Sequence, residues 1–142
     1  MMDRILCAID GSKAAARAVD FAVALAAKIG CDLRFVTVTT VTPTTAADSP
    51  FWDTRLFDAG EALIAKELSD AMTAAQKGGI ANVTSATIAG RDIAEAILGY
   101  AAEQGFDHIV MGSTGHTAFG RLLTGSVVDD VLRHPHPPVT II

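Results

Sequence analysis

The chain has 142 residues, enough for one sizeable core and short for two, so a single domain over 1–142 is expected. Eleven Lys plus Arg against sixteen Asp plus Glu give a net charge of -5, and the absence of a basic tail or cluster argues against a nucleic-acid partner. The apolar runs are strand-sized rather than membrane-sized, and "MMDRILCAIDG" lacks the basic, apolar and small-residue regions of a signal peptide in that order, so a cytoplasmic protein with no membrane partner is expected.

"RILCAI" (4–9) is short, continuously apolar and closed by "DGS", the pattern of a strand buried on both faces. From Ser12 to Ile29 the sequence is alanine-rich, and Ala15, Val19, Ala22, Ala26 and Ile29 return at helical spacing, with Ser12 as N-cap and Gly30 as stop. "DLRFVTV" (32–38) reads as a second strand. The polar, proline-punctuated stretch 39–53 reads as a long loop whose Phe51 and Trp52 fold back on the body.

Leu56, Phe57, Leu63, Ile64, Leu68, Met72 and Ala75 mark a long helix that ends at Gly78-Gly79. "NVTSATI" (82–88) alternates, which suggests an edge strand, and Asp92 then caps a helix carrying Ile93, Ala96, Ile97 and Ala101. "HIVMG" (108–112) is a fourth strand, a helix covers about 126–133, and "VTII" (139–142) is a fifth strand. Strands alternating with helices of this length predict a doubly wound α/β fold: a mostly parallel sheet with helices on both faces. The last strand is a bare apolar edge, and a second copy of the chain is the economical cover, so a homodimer through 139–142 is expected.

Cys7 lies in one apolar run and Cys31 opens another, as free cysteines do when they serve as core hydrophobes; their spacing fits neither a redox pair nor a zinc knuckle. His134 and His136, near Asp129 and Asp130, lack the further ligands of a metal clamp, and no metal site of the protein's own is expected.

Ligands of open α/β sheets sit outside the carboxyl ends of the strands. Of the loops there, 112–125 is fourteen residues long, well beyond an ordinary βα connection of about two to six. Gly112 and Gly115 bracket "ST" directly after the strand, and Gly125-Ser126 opens a helix whose N–H groups and dipole favour a phosphate. No Asp or Glu lies between Gly112 and Ser126, while Arg121 and several hydroxyls do, which suits a polyphosphate. The lysine-bearing phosphate loop and the G-x-G-x-x-G dinucleotide fingerprint are both missing. Asp10 ends the first strand, where it would accept from a ribose hydroxyl, hold a phosphate-bridging cation, or simply cap the following turn.

Gly112-x-x-Gly115, nine residues, then Gly125-Ser126 resembles the G-2x-G-9x-G-(S/T) pattern of ATP-binding universal stress proteins, and the resemblance runs from "RILCAIDGS" to "GRLLTGSVVDDVLRHPHPPVTII". It implies a five-stranded parallel sheet in the order 3-2-1-4-5, dimerisation through the last strand, and ATP with Mg2+ or Mn2+ as ligand. It places Asp10 beside the nucleotide, Val38 near the adenine and Gly90 where space is needed close to the base. Gly112, Gly115, Gly125 and Ser126 would hold ribose and phosphates, with Val127 beside them. Thr37, Thr114 and His116 depart from residues common in the family, which bears on affinity.

No catalytic residue is assigned. His116 is the lone histidine of the glycine segment and no base for hydrolysis accompanies it. The expected role is a regulatory ATP-binding module of a stress response, acting on an unidentified protein partner. A weak ATPase or autophosphorylating phosphotransferase and a nucleotide-independent chaperone or scaffold are the alternatives.

Overall fold

The computed structural model describes residues 2–10, 13–39, 54–113 and 126–142. Along the chain run β1 (Arg4–Ala8), α1 (Lys13–Ile29), β2 (Asp32–Thr39), α2 (Thr54–Lys77), β3 (Val83–Ala89), α3 (Ile93–Gln104), β4 (His108–Met111), α4 (Ser126–Arg133) and β5 (Val139–Ile141). The five strands form one all-parallel sheet in the order β3-β2-β1-β4-β5, as the resemblance implies.

Burial follows position in the sheet. Ile5, Leu6 and Cys7 of central β1 are fully buried, because each face of the strand meets a helix layer. On one face Ile5, Cys7, Leu33, Phe35 and Val110 pack under the alanine stripe of α1 (Ala15, Ala18, Ala22, Ala26) and under Ala71 and Ala75 of α2. Small side chains at this stripe let the helix backbone lie close to the sheet. On the other face Leu6, Val36 and Ile109 pack with Ile97 and Ala101 of α3 and with Phe106, and a satellite of Ala94, Met111 and Val131 seats α4. β3 lies at the edge and, from Ser85 to Ala89, alternates exposed with half-buried residues, while Thr84 and Ser85 are both exposed.

Local signals set the ends of the elements. Asp92 caps α3 by accepting the Glu95 N–H at 2.9 Å, and Gly105 closes it at φ 75°, a left-handed angle costly for any residue with a Cβ. Gly30 ends α1 in the same way at φ 78°. Of the loops expected over 39–53 and 112–125, Thr39 is the last residue of β2 and Gly112 and Ser113 follow β4; the rest of both, and the Ser12 cap, lie outside the described residues.

Candidate functional site

The chain moves outward from β1 through β2 to β3, then returns to the other side of β1 with β4 and β5. Strand order therefore reverses between β1 and β4, and the crevice beyond their carboxyl ends is where such a sheet takes a ligand. Asp10 follows β1 by two residues and is half-buried, Val38 lies in the last turn of β2, Gly90 follows β3, Gly112 follows β4, and Ser126 opens α4. These five residues are at the same end of the sheet. Gly115 and Gly125 fall outside the described residues, as do Arg121 and His116.

Two of the glycines have a packing reason that spacing did not reveal. A Cβ on Gly112 would stand 2.9 Å from the Ala14 carbonyl carbon and 3.0 Å from its oxygen and Cβ, so the end of β4 runs against the backbone of the first turn of α1. A Cβ on Gly90 would stand 2.9 Å from the Ala96 Cβ, because the turn after β3 folds onto the start of α3. The Gly90 N–H also donates to the Thr39 carbonyl at 3.2 Å, tying that turn to the end of β2. Neither glycine has a positive φ, so bulk rather than backbone angle excludes a side chain at both.

Backbone donors at this end are partly committed. The Ser113 N–H donates to the Ile142 carbonyl at 2.7 Å, and the Ile142 N–H donates to the Met111 carbonyl at 3.0 Å. The Ser113 amide is thereby withdrawn from the set open to an anion. Val38 packs on the cluster of Val36 and Ile97, with Ile88, on the α3 face, and Val127 packs on that of Met111 and Val131.

One acidic neighbour was missed in the sequence. Glu67 of α2 is half-buried, and its carboxyl is held above the usual glutamate range first by burial and then by the charge of Asp10, with Lys66 pulling the other way. Its signal was available: Glu67 falls four residues before Ala71, which is buried against the sheet. A divalent cation, which prefers oxygen ligands, would offset the effect of the Asp10 charge on Glu67. Among the described residues no group of three or more His, Cys, Asp or Glu is arranged to hold a metal, so a cation there would complete its shell with ligand oxygens and water.

Other reactive groups are spent elsewhere. Burial pushes the Cys7 thiol far up, and the Cys31 thiol is raised by burial ahead of nearby aspartates, so both are poor nucleophiles. The Nδ1 atoms of His134 and His136 donate to the Asp130 and Pro137 carbonyls, each at 2.6 Å. Among the described residues no helix is long and apolar enough to cross a membrane.

A doubly wound parallel α/β domain with a crevice at its switch point defines the class of this protein. The description "Universal stress protein family" matches residues 1–142, and the chain belongs to that family. A protein of the universal stress protein family from Burkholderia pseudomallei is similar over 99% of this chain and 96% of its own, at 32% identity and a TM-score of 0.78. A universal stress protein solved in complex with cAMP matches 99% of this chain and 95% of its own, at 26% identity and a TM-score of 0.70. A universal stress protein of Methanocaldococcus jannaschii is 41% identical over 49 residues, which span 34% of this chain and 29% of that relative.

Proposed function

We propose that this chain is an ATP-binding member of its family, working as a homodimeric regulatory module of a stress response rather than as a dedicated catalyst. The observation that carries the reading is the shared position of Asp10, Val38, Gly90, Gly112 and the start of α4 at the carboxyl end of the sheet. The G-2x-G-9x-G-S spacing in the sequence supports a triphosphate, and the cAMP complex of a relative supports an adenine nucleotide. In this reading the start of α4 and the glycine segment hold phosphates through backbone N–H groups, and Val38 and Val127 flank the crevice as apolar contacts. Asp10 and Glu67 favour Mg2+ or Mn2+ bridging to phosphate oxygens. ATP binding orders the surface offered to a protein partner, and that partner changes ATP affinity reciprocally.

The dimer in this reading forms along β5. Ile142 turns its N–H and C=O to β4, and Pro138 turns its C=O there, so Val139 and Ile141 present theirs along the open edge. A second copy can pair with those groups.

Calorimetric titration with Mg-ATP tests the nucleotide reading. Saturable binding is expected, weakened at least about tenfold in Gly125→Ala by loss of close backbone approach to charged oxygens. Failure of the folded wild-type protein to bind Mg-ATP overturns it. Labelled ATP decides the enzymatic alternative: ATP recovered intact supports the module, and sustained ADP release lost in Asp10→Asn supports slow hydrolysis.

A further inference from the structure

The opposite end of the sheet carries two cations that the nucleotide reading does not use. Arg4 pairs in register with Asp32, and Leu6 with Arg34, so the two arginines project from neighbouring strands on the α3 face. Their guanidinium carbons lie 4.5 Å and 5.2 Å from the ring centroid of the same residue, Phe106, against which Tyr100 is stacked at 6.0 Å. Arg34 Nε donates to Thr84 Oγ1 at 2.7 Å and Arg34 Nη1 to the Tyr100 hydroxyl at 2.8 Å, while Arg4 Nη1 donates to the Gln104 carbonyl. Each planar fork is thus fixed along one side. Among the described residues Arg4 Nε and the Nη2 atoms of both residues make no hydrogen bond and neither guanidinium forms an ion pair.

Arg4, Arg34, Thr84 and Phe106 border a cleft of about 250 Å³, together with Asn82 and Asp32. The nearby carboxylates bond to neutral donors rather than to the guanidiniums and keep their charge: Asp32 accepts from Asn82 Nδ2 at 3.1 Å, and Asp107 accepts the backbone N–H groups of Asp3 and Arg4 at 2.8 Å and 3.2 Å. Two half-buried like charges on one ring repel, and the ring's attraction for a cation does not neutralise either of them. A bound anion would.

We propose that this cleft is a second ligand site, selective for a compact oxyanion held by the free edges of Arg4 and Arg34. Fixed guanidinium forks suit the paired oxygens of a phosphate or carboxylate group. The volume, below the roughly 300–1,000 Å³ of pockets that enclose drug-sized ligands, suits inorganic phosphate or a short dicarboxylate. The site is distinct from the crevice at the other end of the strands: along β2, Arg34 and Val38 are four residues apart, roughly 13 Å.

Titration of the 15N-labelled protein with inorganic phosphate and, separately, malonate tests the assignment, with NaCl at matched ionic strength as reference. Saturable shifts are expected at Arg4 Nε–H and at the Thr84 and Phe106 amides, and whichever of the two anions produces them identifies the preferred oxyanion. Arg34→Gln should weaken binding about tenfold or more, the worth of a hydrogen bond to a charged group. Thr84→Val keeps both charges but releases one side of the Arg34 fork, and should weaken binding less. Asp32→Asn should strengthen it by removing the one carboxylate of the cleft. Shifts that merely follow ionic strength overturn the proposal, as do shifts confined to Ser126 and Val127, affinity unchanged in both Arg34→Gln and Thr84→Val, or weaker binding in Asp32→Asn.

Discussion

Gly112→Ala separates what the fold asks of the glycine segment from what a ligand asks of it. The new methyl carbon would stand 2.9 Å from the Ala14 carbonyl carbon and 3.0 Å from the Ala14 Cβ and oxygen. Carbon atoms at rest are about 3.5–4.0 Å apart, so β4 and α1 must separate by several tenths of an ångström, and the obstacle is backbone that no rotamer change removes. Overpacking of this kind costs about 1–3 kcal/mol, offset by about 0.4–1 kcal/mol because alanine also restricts the unfolded chain. The net loss of roughly 1–2 kcal/mol corresponds to a melting temperature lower by about 3–10 °C for a chain of this size. Circular dichroism melts without nucleotide measure it. A melting temperature equal to wild type would refute the packing argument and return Gly112 to a role in ligand approach alone.

Gly99 is exposed within α3 with nothing within 4 Å of its would-be Cβ, so Gly99→Ala should stabilise the protein by about 0.5–1 kcal/mol, read by urea unfolding. His108 is 6% exposed, its Nε2 bonds Thr140 Oγ1 at 2.7 Å, and its Nδ1 is buried without a partner. Burial lowers its pKa, against a smaller raising effect of Asp107. The unfolded chain therefore takes up this proton at a higher pH than the folded one, and His108 removes stability as pH falls from the ordinary value of 6.5 toward the folded value. His108→Leu should flatten that part of the stability profile measured in urea between neutral and acid pH; an unchanged slope would show that the buried ring does not contribute to it. Ile141→Pro deletes an outward N–H of β5 while leaving the inward bonds of Ile142, and sedimentation should show dimers lost. Deleting 139–142 is a poorer test, since it also strips the carbonyl that takes the Ser113 N–H.

Much of this protein is settled by local pattern. Continuous apolar runs at 4–9 and 108–112, alternation at 82–88 and the alanine stripe of α1 each report burial at their own positions, because periodicity and side-chain type respond directly to whether one face or two are covered. The Asp92 cap and the Gly30 and Gly105 stops were within reach for the same reason, being decided by backbone geometry over a few residues. Glu67 shows where local reading fails: its helical position was visible, but the effect of the Asp10 charge on it arises only once α2 is docked against β2, β3 and α1. Gly90 and Gly112 drew attention as glycines, yet the atoms that exclude a methyl group there belong to Ala96 and Ala14, brought close only when helices settle on the sheet. The Arg4 and Arg34 pairing on Phe106 joins β1, β2 and the turn after α3, segments whose separation along the chain hides their common surface. Elements and their buried faces follow from short-range preferences carried by neighbouring residues. Close approaches, coupled charges and clefts arise from packing between distant segments, and only the folded chain decides them.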